Sequence, residues 1–137
     1  MDPEEITMTE TKLTKEYDVT QERLACEVKS GSLPVLATPA VAAFFEETAA
    51  ALAQTYLGEG ETTVGSKIAV VHLAPTLPGA RVSVTAQLLA QEGKVFRFQL
   101  EAYDGAGLAA TATHERVTVN AERFMQKAEA RKGSAKE

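Results

Sequence analysis

The chain lacks tryptophan, has one cysteine and carries only two histidines among its 137 residues. A single cysteine, Cys26, excludes an intramolecular disulfide and every CxxC redox or metal motif. His72 and His114, with no HExxH spacing, argue against a zinc site. Long apolar runs are missing too. The richest stretch, Val35 to Leu57, is broken by Pro39, Glu46, Glu47, Thr48 and Gln54, whereas a spanning helix needs about 20 mostly apolar residues. The start, Met1-Asp2-Pro3-Glu4-Glu5, is acidic where a secretory signal is basic and then apolar. A cytoplasmic protein with no membrane partner is therefore expected. Positive charge is in deficit: 14 Lys and Arg stand against 19 Asp and Glu, a net charge of -5. Nucleic-acid partners need a basic stripe, so none is expected. There is also no GxSxG elbow, no GxxxxGK[ST] phosphate loop and no GxGxxG.

What is present is ordinary for a globular domain: 45% hydrophobic and 24% charged residues. Chain length favours one domain, and one this small leaves apolar surface free for a partner. Residues 1–12 read as a polar arm, 13–130 as the domain and 131–137 as a frayed tail. Tyr17 with Val19, and Leu24, Cys26 and Val28, suggest two short strands, which would bury the Cys26 thiol. Ser30-Gly31-Ser32 is a flexible connection.

Pro39 to about Leu57 is the one long helix. Thr38 stands where an N-cap is favoured, Pro39 at the first helical position, and Gly58 and Gly60 at the stop. Apolar residues on almost every face require this helix to be enclosed. Strands follow. Ile68 to Ala74 is apolar except for His72, as in a strand buried on both faces. Val82, Val84, Ala86 and Leu88 alternate with polar residues, as do Phe96, Phe98, Leu100 and Ala102. Glu92-Gly93 and Asp104-Gly105 mark hairpin turns, Leu108 to Val119 is the last long strand, and a short helix ends before Gly133. One enclosed helix followed by an antiparallel meander is an α+β pattern. It has the element order of the hot-dog fold, a long central helix wrapped by a curved antiparallel sheet.

Few residues in this pattern can carry chemistry. Glu46 follows Phe44-Phe45 on the apolar helix; buried there, its carboxylate would suit a general base or nucleophile. Alternatively, Glu46 and Glu47 mark the solvated stripe of the helix. His72 either relays a proton or is satisfied by a backbone carbonyl. Thr38 is either a plain N-cap or a hydroxyl that orients a carboxylate or water. His114, in Thr113-His114-Glu115-Arg116, reads as part of a strand-end polar network.

The block from Thr76-Leu77-Pro78-Gly79 through Leu88, with Glu92-Gly93, Ala102-Tyr103-Asp104-Gly105 and Thr113-His114-Glu115-Arg116, resembles the fluoroacetyl-CoA thioesterase family of hot-dog acyl-CoA thioesterases. The resemblance spans roughly Ser32 to Lys127. It implies a catalytic threonine before the helix, a glutamate eight positions later and a histidine on the next strand, which fall on Thr38, Glu46 and His72. It also implies substrate-binding roles for Gly65, whose amide would lie at the thioester, and for Arg116. The substrate would be an acyl-CoA, CoA entering only as part of it, with no separate cofactor and no metal. The partner would be a second copy in a homodimer or higher homo-oligomer. The fluoroacetyl-selective family members carry lid phenylalanines ahead of the threonine. Here Lys29 to Pro34 contains none, so a general short, medium or aryl acyl group is expected. The other reading is a non-catalytic acyl-CoA or small-acyl binding module on the same scaffold. Eight helical residues span about 12 Å. One thioester therefore meets both Thr38 and Glu46 only if the helix starts late, the chain bends back, or two subunits share the site.

Overall fold

The computed structural model describes residues 11–135. Residues 1–10, most of the expected arm, and 136–137 at the end of the expected tail lie outside the described residues. Strand β1 (Lys12–Asp18) leads through a 3₁₀ turn (Gln21–Arg23) and helix α1 (Ala25–Val28) to the long helix α2 (Thr38–Gln54). Strands β2 (Glu61–His72), β3 (Arg81–Glu92), β4 (Val95–Asp104) and β5 (Gly107–Asn120) follow, then helix α3 (Ala121–Ala135). All five strands form one antiparallel sheet in the order β1-β3-β4-β5-β2. The chain therefore has the α+β, hot-dog arrangement that its sequence pattern implies, with α2 against the sheet's inner face.

Alternation explains the sheet. Val82, Val84 and Ala86 on β3, Phe96, Phe98, Leu100 and Ala102 on β4, and Ala110 and Ala112 on β5 are all buried. They point the same way because successive strand side chains alternate. Helix α2 buries Val41, Phe44, Phe45, Thr48, Ala49, Leu52 and Ala53 against them, the spacing of one helical face. Tyr17 stacks on Phe44 with ring centroids 4.2 Å apart, and its hydroxyl meets Thr48 Oγ1 at 3.0 Å. That contact joins β1 to the helix. The enclosure expected of α2 holds for this face only; Ala43, Glu47 and Gln54 are exposed.

Four local expectations are corrected. Leu24 to Val28 is not a strand. It opens α1, whose Ala25 and Cys26 amides donate to Val35 and Leu33 carbonyls, leaving Cys26 exposed. Three alternating residues are too few to separate a strand from a helical turn. Thr38 is not the N-cap: Ala37 is, without a side-chain cap, and Thr38 is already helical. Strand β2 is not buried on both faces. It begins earlier, at Glu61, and forms an edge of the sheet, so Ala69 and Val71 are exposed. Finally, the last helix continues through Gly133, since one glycine costs a helix only about 1 kcal/mol. The hairpin turns stand where expected, with Gly93 at φ 61 and Gly107 at φ 136 taking backbone conformations that L side chains resist.

Candidate active site

The expected residues fall into two groups on one flank of α2. Thr38, at the start of the helix, and His72, at the end of β2, meet at 2.8 Å between Oγ1 and Nδ1. The hydroxyl that was expected to cap a helix is therefore engaged by an imidazole. Nε2 of His72 is buried and has no hydrogen-bond partner among the described residues. Burial pushes the His72 imidazole below its ordinary value, favouring the neutral ring. Beside this pair lies a cavity of about 340 Å³. Ser30, Val35 and Leu36 from the segment before the helix line one side, and Leu73 and Pro75 the other. Among the described residues no Phe or Tyr lines it.

Glu46, two turns along α2, heads the second group. It is half-buried, whereas its neighbour Glu47 is exposed, so the two glutamates divide between protein and solvent. Its carboxylate packs over Gly65. A Cβ added at Gly65 would stand 2.7 Å from Glu46 Oε2, 3.3 Å from Arg116 Nη1 and 3.3 Å from His114 Cε1. The place of a side chain here is taken by the end of Glu46, and φ plays no part. Gly65 pairs with Arg116 across β2 and β5, and the register shifts just beyond it, between Gly65 and Lys67. The carboxylate itself makes no hydrogen bond or ion pair among the described residues.

Arg116 is buried and held by three bonds. Its Nε donates to Thr63 Oγ1 at 2.7 Å, Nη2 to the Thr63 carbonyl at 3.0 Å and Nη1 to His114 Nε2 at 3.2 Å. Burial lowers the guanidinium from its ordinary value and the nearby Glu46 charge raises it; arginine stays charged in either case. Its charge thus lies beside Glu46 without contacting it. Thr63 was not anticipated from sequence, although its signal was available: Thr63 and Gly65 are two apart on a strand and share a face, as do His114 and Arg116.

Within one chain the two groups do not meet. Helix α2 starts at Thr38, so neither a late start nor a bend brings Glu46 to the Thr38–His72 pair. The arrangement offers a hydroxyl–imidazole pair beside an apolar cavity and a carboxylate without hydrogen bonds beside a fixed cation. Among the described residues no group of three or more His, Cys, Asp or Glu could hold a metal ion.

Comparison with known proteins gives a consistent family. A model of the fluoroacetyl-CoA-specific thioesterase family matches residues 19–122. The curated fluoroacetyl-CoA thioesterase of Streptantibioticus cattleyicolor is 40% identical over 72 residues, covering 53% of this chain and 52% of that protein. The chain thus spans about half the length of the curated relative it matches. A solved structure of the fluoroacetyl-CoA thioesterase superposes with a TM-score of 0.83 at 28% identity, covering 90% of this chain and 96% of that one. A crystal structure of a Thermus thermophilus thioesterase superfamily member gives 0.84 at 28% identity, covering 91% and 93%.

Proposed function

The chain belongs to the fluoroacetyl-CoA-specific thioesterase family, and from that premise we propose that it hydrolyses a short, medium or aryl acyl-CoA thioester to the free acid and CoA. The observation that carries this reading is the Glu46 carboxylate, free of hydrogen bonds among the described residues and lodged over Gly65 beside buried Arg116. A carboxylate tied up in a structural ion pair would be a poor nucleophile or base. This one is oriented by packing and by a charge it does not touch.

Glu46 acts in one of two ways: it attacks the thioester carbonyl, forming an anhydride that water then cleaves, or it takes a proton from the attacking water. Either route puts negative charge on the carbonyl oxygen, which the Gly65 N–H stabilises. Breaking the C–S bond releases the CoA sulfur, which leaves as the thiol once it gains a proton. The Thr38–His72 pair assists that proton transfer. CoA belongs to the substrate, and no other cofactor is called for.

A second copy of the chain completes the site. Edge strand β2 has unpaired backbone groups and exposed Val71 and Leu73, both at 54% exposure, and such an edge is a template for pairing. In an antiparallel pairing of two β2 strands about a two-fold axis near Ala69, the His72 end of one chain runs alongside Gly65 of the partner subunit. The Thr38–His72 pair of one chain then faces the carboxylate group of its partner, and one thioester can reach both. Aliphatic walls on the cavity beside Thr38 and His72 support a short or medium acyl group with no selectivity for fluorine.

Free-thiol release from a panel of acyl-CoAs tests the reading. Glu46→Gln is expected to lower kcat on the best substrate by about 10²-fold or more. Full activity in a folded Glu46→Gln protein would remove Glu46 from the chemistry, whereas tight acyl-CoA binding with no thiol release by the wild type would replace the enzyme with an acyl-CoA binding module.

A further inference from the structure

We propose that His114 is a positioning residue that fixes both Arg116 and the Gly65–Lys67 bulge, and through them the Glu46 carboxylate. The inference rests on the reading of Glu46 as the catalytic group.

The hydrogen bonds leave the imidazole one state. His114 Nδ1 lies 2.8 Å from the Lys67 carbonyl. A carbonyl only accepts, so Nδ1 carries the proton. Nε2 lies 3.2 Å from Arg116 Nη1, and a guanidinium only donates, so Nε2 must be the acceptor. His114 is thereby a neutral ring of defined tautomer, 2% exposed, with both nitrogens used. One nitrogen ties down the chain at the register shift that carries Gly65. The other holds the one edge of Arg116 that Thr63 leaves free. The ring also comes close to Gly65 itself, its Cε1 standing 3.3 Å from the site of an added Cβ.

Protonation would undo this arrangement. A proton on Nε2 removes the acceptor and sets an N–H against a guanidinium N–H. Arg116 Nη1 is then pushed away, and with it the charge beside Glu46. Several groups act on the ring. Arg116 on β5 opposes the extra charge, while Glu46 on α2 and Glu115 on β5 favour it. Burial is the largest influence and moves His114 below its ordinary value. The acid loss of activity therefore falls below the usual histidine range, not within it. His114 also lines a cavity of about 200 Å³ together with Lys67, Arg97 and Glu115.

Two variants separate positioning from mere packing. His114→Gln supplies a non-titrating carbonyl acceptor at about the reach of Nε2. His114→Phe keeps the ring volume and removes both nitrogens. With melting curves as the check on folding, His114→Phe is expected to lose about 10- to 100-fold in kcat with KM little changed, the scale of cost for misplacing a reacting group. His114→Gln is expected to regain most of that loss. Nitrogen NMR of the wild-type imidazole, which reads the tautomer independently of activity, should show a protonated Nδ1 and a bare Nε2. The proposal is overturned by the opposite tautomer, by a folded His114→Phe with full kcat, or by a folded His114→Gln no more active than His114→Phe. If Glu46→Gln is fully active, the catalytic reading itself fails and the positioning role falls with it. Loss in Glu46→Gln beside full activity in His114→Phe rejects the positioning role alone.

Discussion

At the scale of single residues, Gly65 shows most clearly how a small residue serves a large one. The space its side chain would fill is occupied by the end of Glu46, a flexible group that gives way cheaply. Gly65→Ala should therefore leave the melting temperature within a few degrees of wild type while lowering kcat by about 10-fold or more. Equal losses of stability and activity would show that the glycine serves the fold instead. Glu46 itself was legible from sequence, because a carboxylate following two phenylalanines on an apolar helix is out of place. His114 was legible only in part. A Thr-His-Glu-Arg segment announces polar contacts, but the partner that defines the tautomer is a backbone carbonyl, which no residue letter specifies.

Among the elements, α2 and the β3–β4–β5 meander follow directly from hydrophobic period, since long regular patterns leave one geometry open. Phe45 shows the energetic weight behind that pattern. It is fully buried at the centre of the helix's apolar face, so Phe45→Ala should destabilise the fold by about 3–5 kcal/mol. Urea denaturation measures it; a loss under 1 kcal/mol would mean that the helix contributes little to the core. The errors lie in short or edge elements. Residues 24–28 are too few to show a period, and their amides are satisfied by the loop 33–35, which local sequence does not announce. Strand β2 was misjudged for another reason. Its apolar run does read as covered on both faces, but β2 stands at the edge of the five-stranded sheet.

At the scale of the whole molecule, that edge position bears on the proposed pairing of two copies. If each site joins the Thr38–His72 pair of one chain to Glu46 of its partner, two inactive variants should complement each other. Thr38→Ala and Glu46→Gln, mixed in equal amounts and allowed to exchange subunits, form mixed dimers with one intact site and one doubly altered site. About a quarter of wild-type activity should return, as expected for an isologous dimer with random assortment. No return of activity, with exchange verified by mass spectrometry, would place the whole site within one chain. The sequence left this question open with the estimate of about 12 Å for an eight-residue helical span, and the complementation experiment answers it.

If two copies pair through their β2 edges as proposed, catalytic competence depends on how much protein is present. Dilution separates copies, each holds half of the proposed machinery, and turnover per chain falls below the dissociation constant of the pair. Substrate bridging the two halves pulls in the other direction, because a ligand that binds only the assembled form stabilises it by mass action. Acyl-CoA would thus recruit the enzyme that destroys it. Progress curves begun at low enzyme concentration should accelerate before they reach steady state.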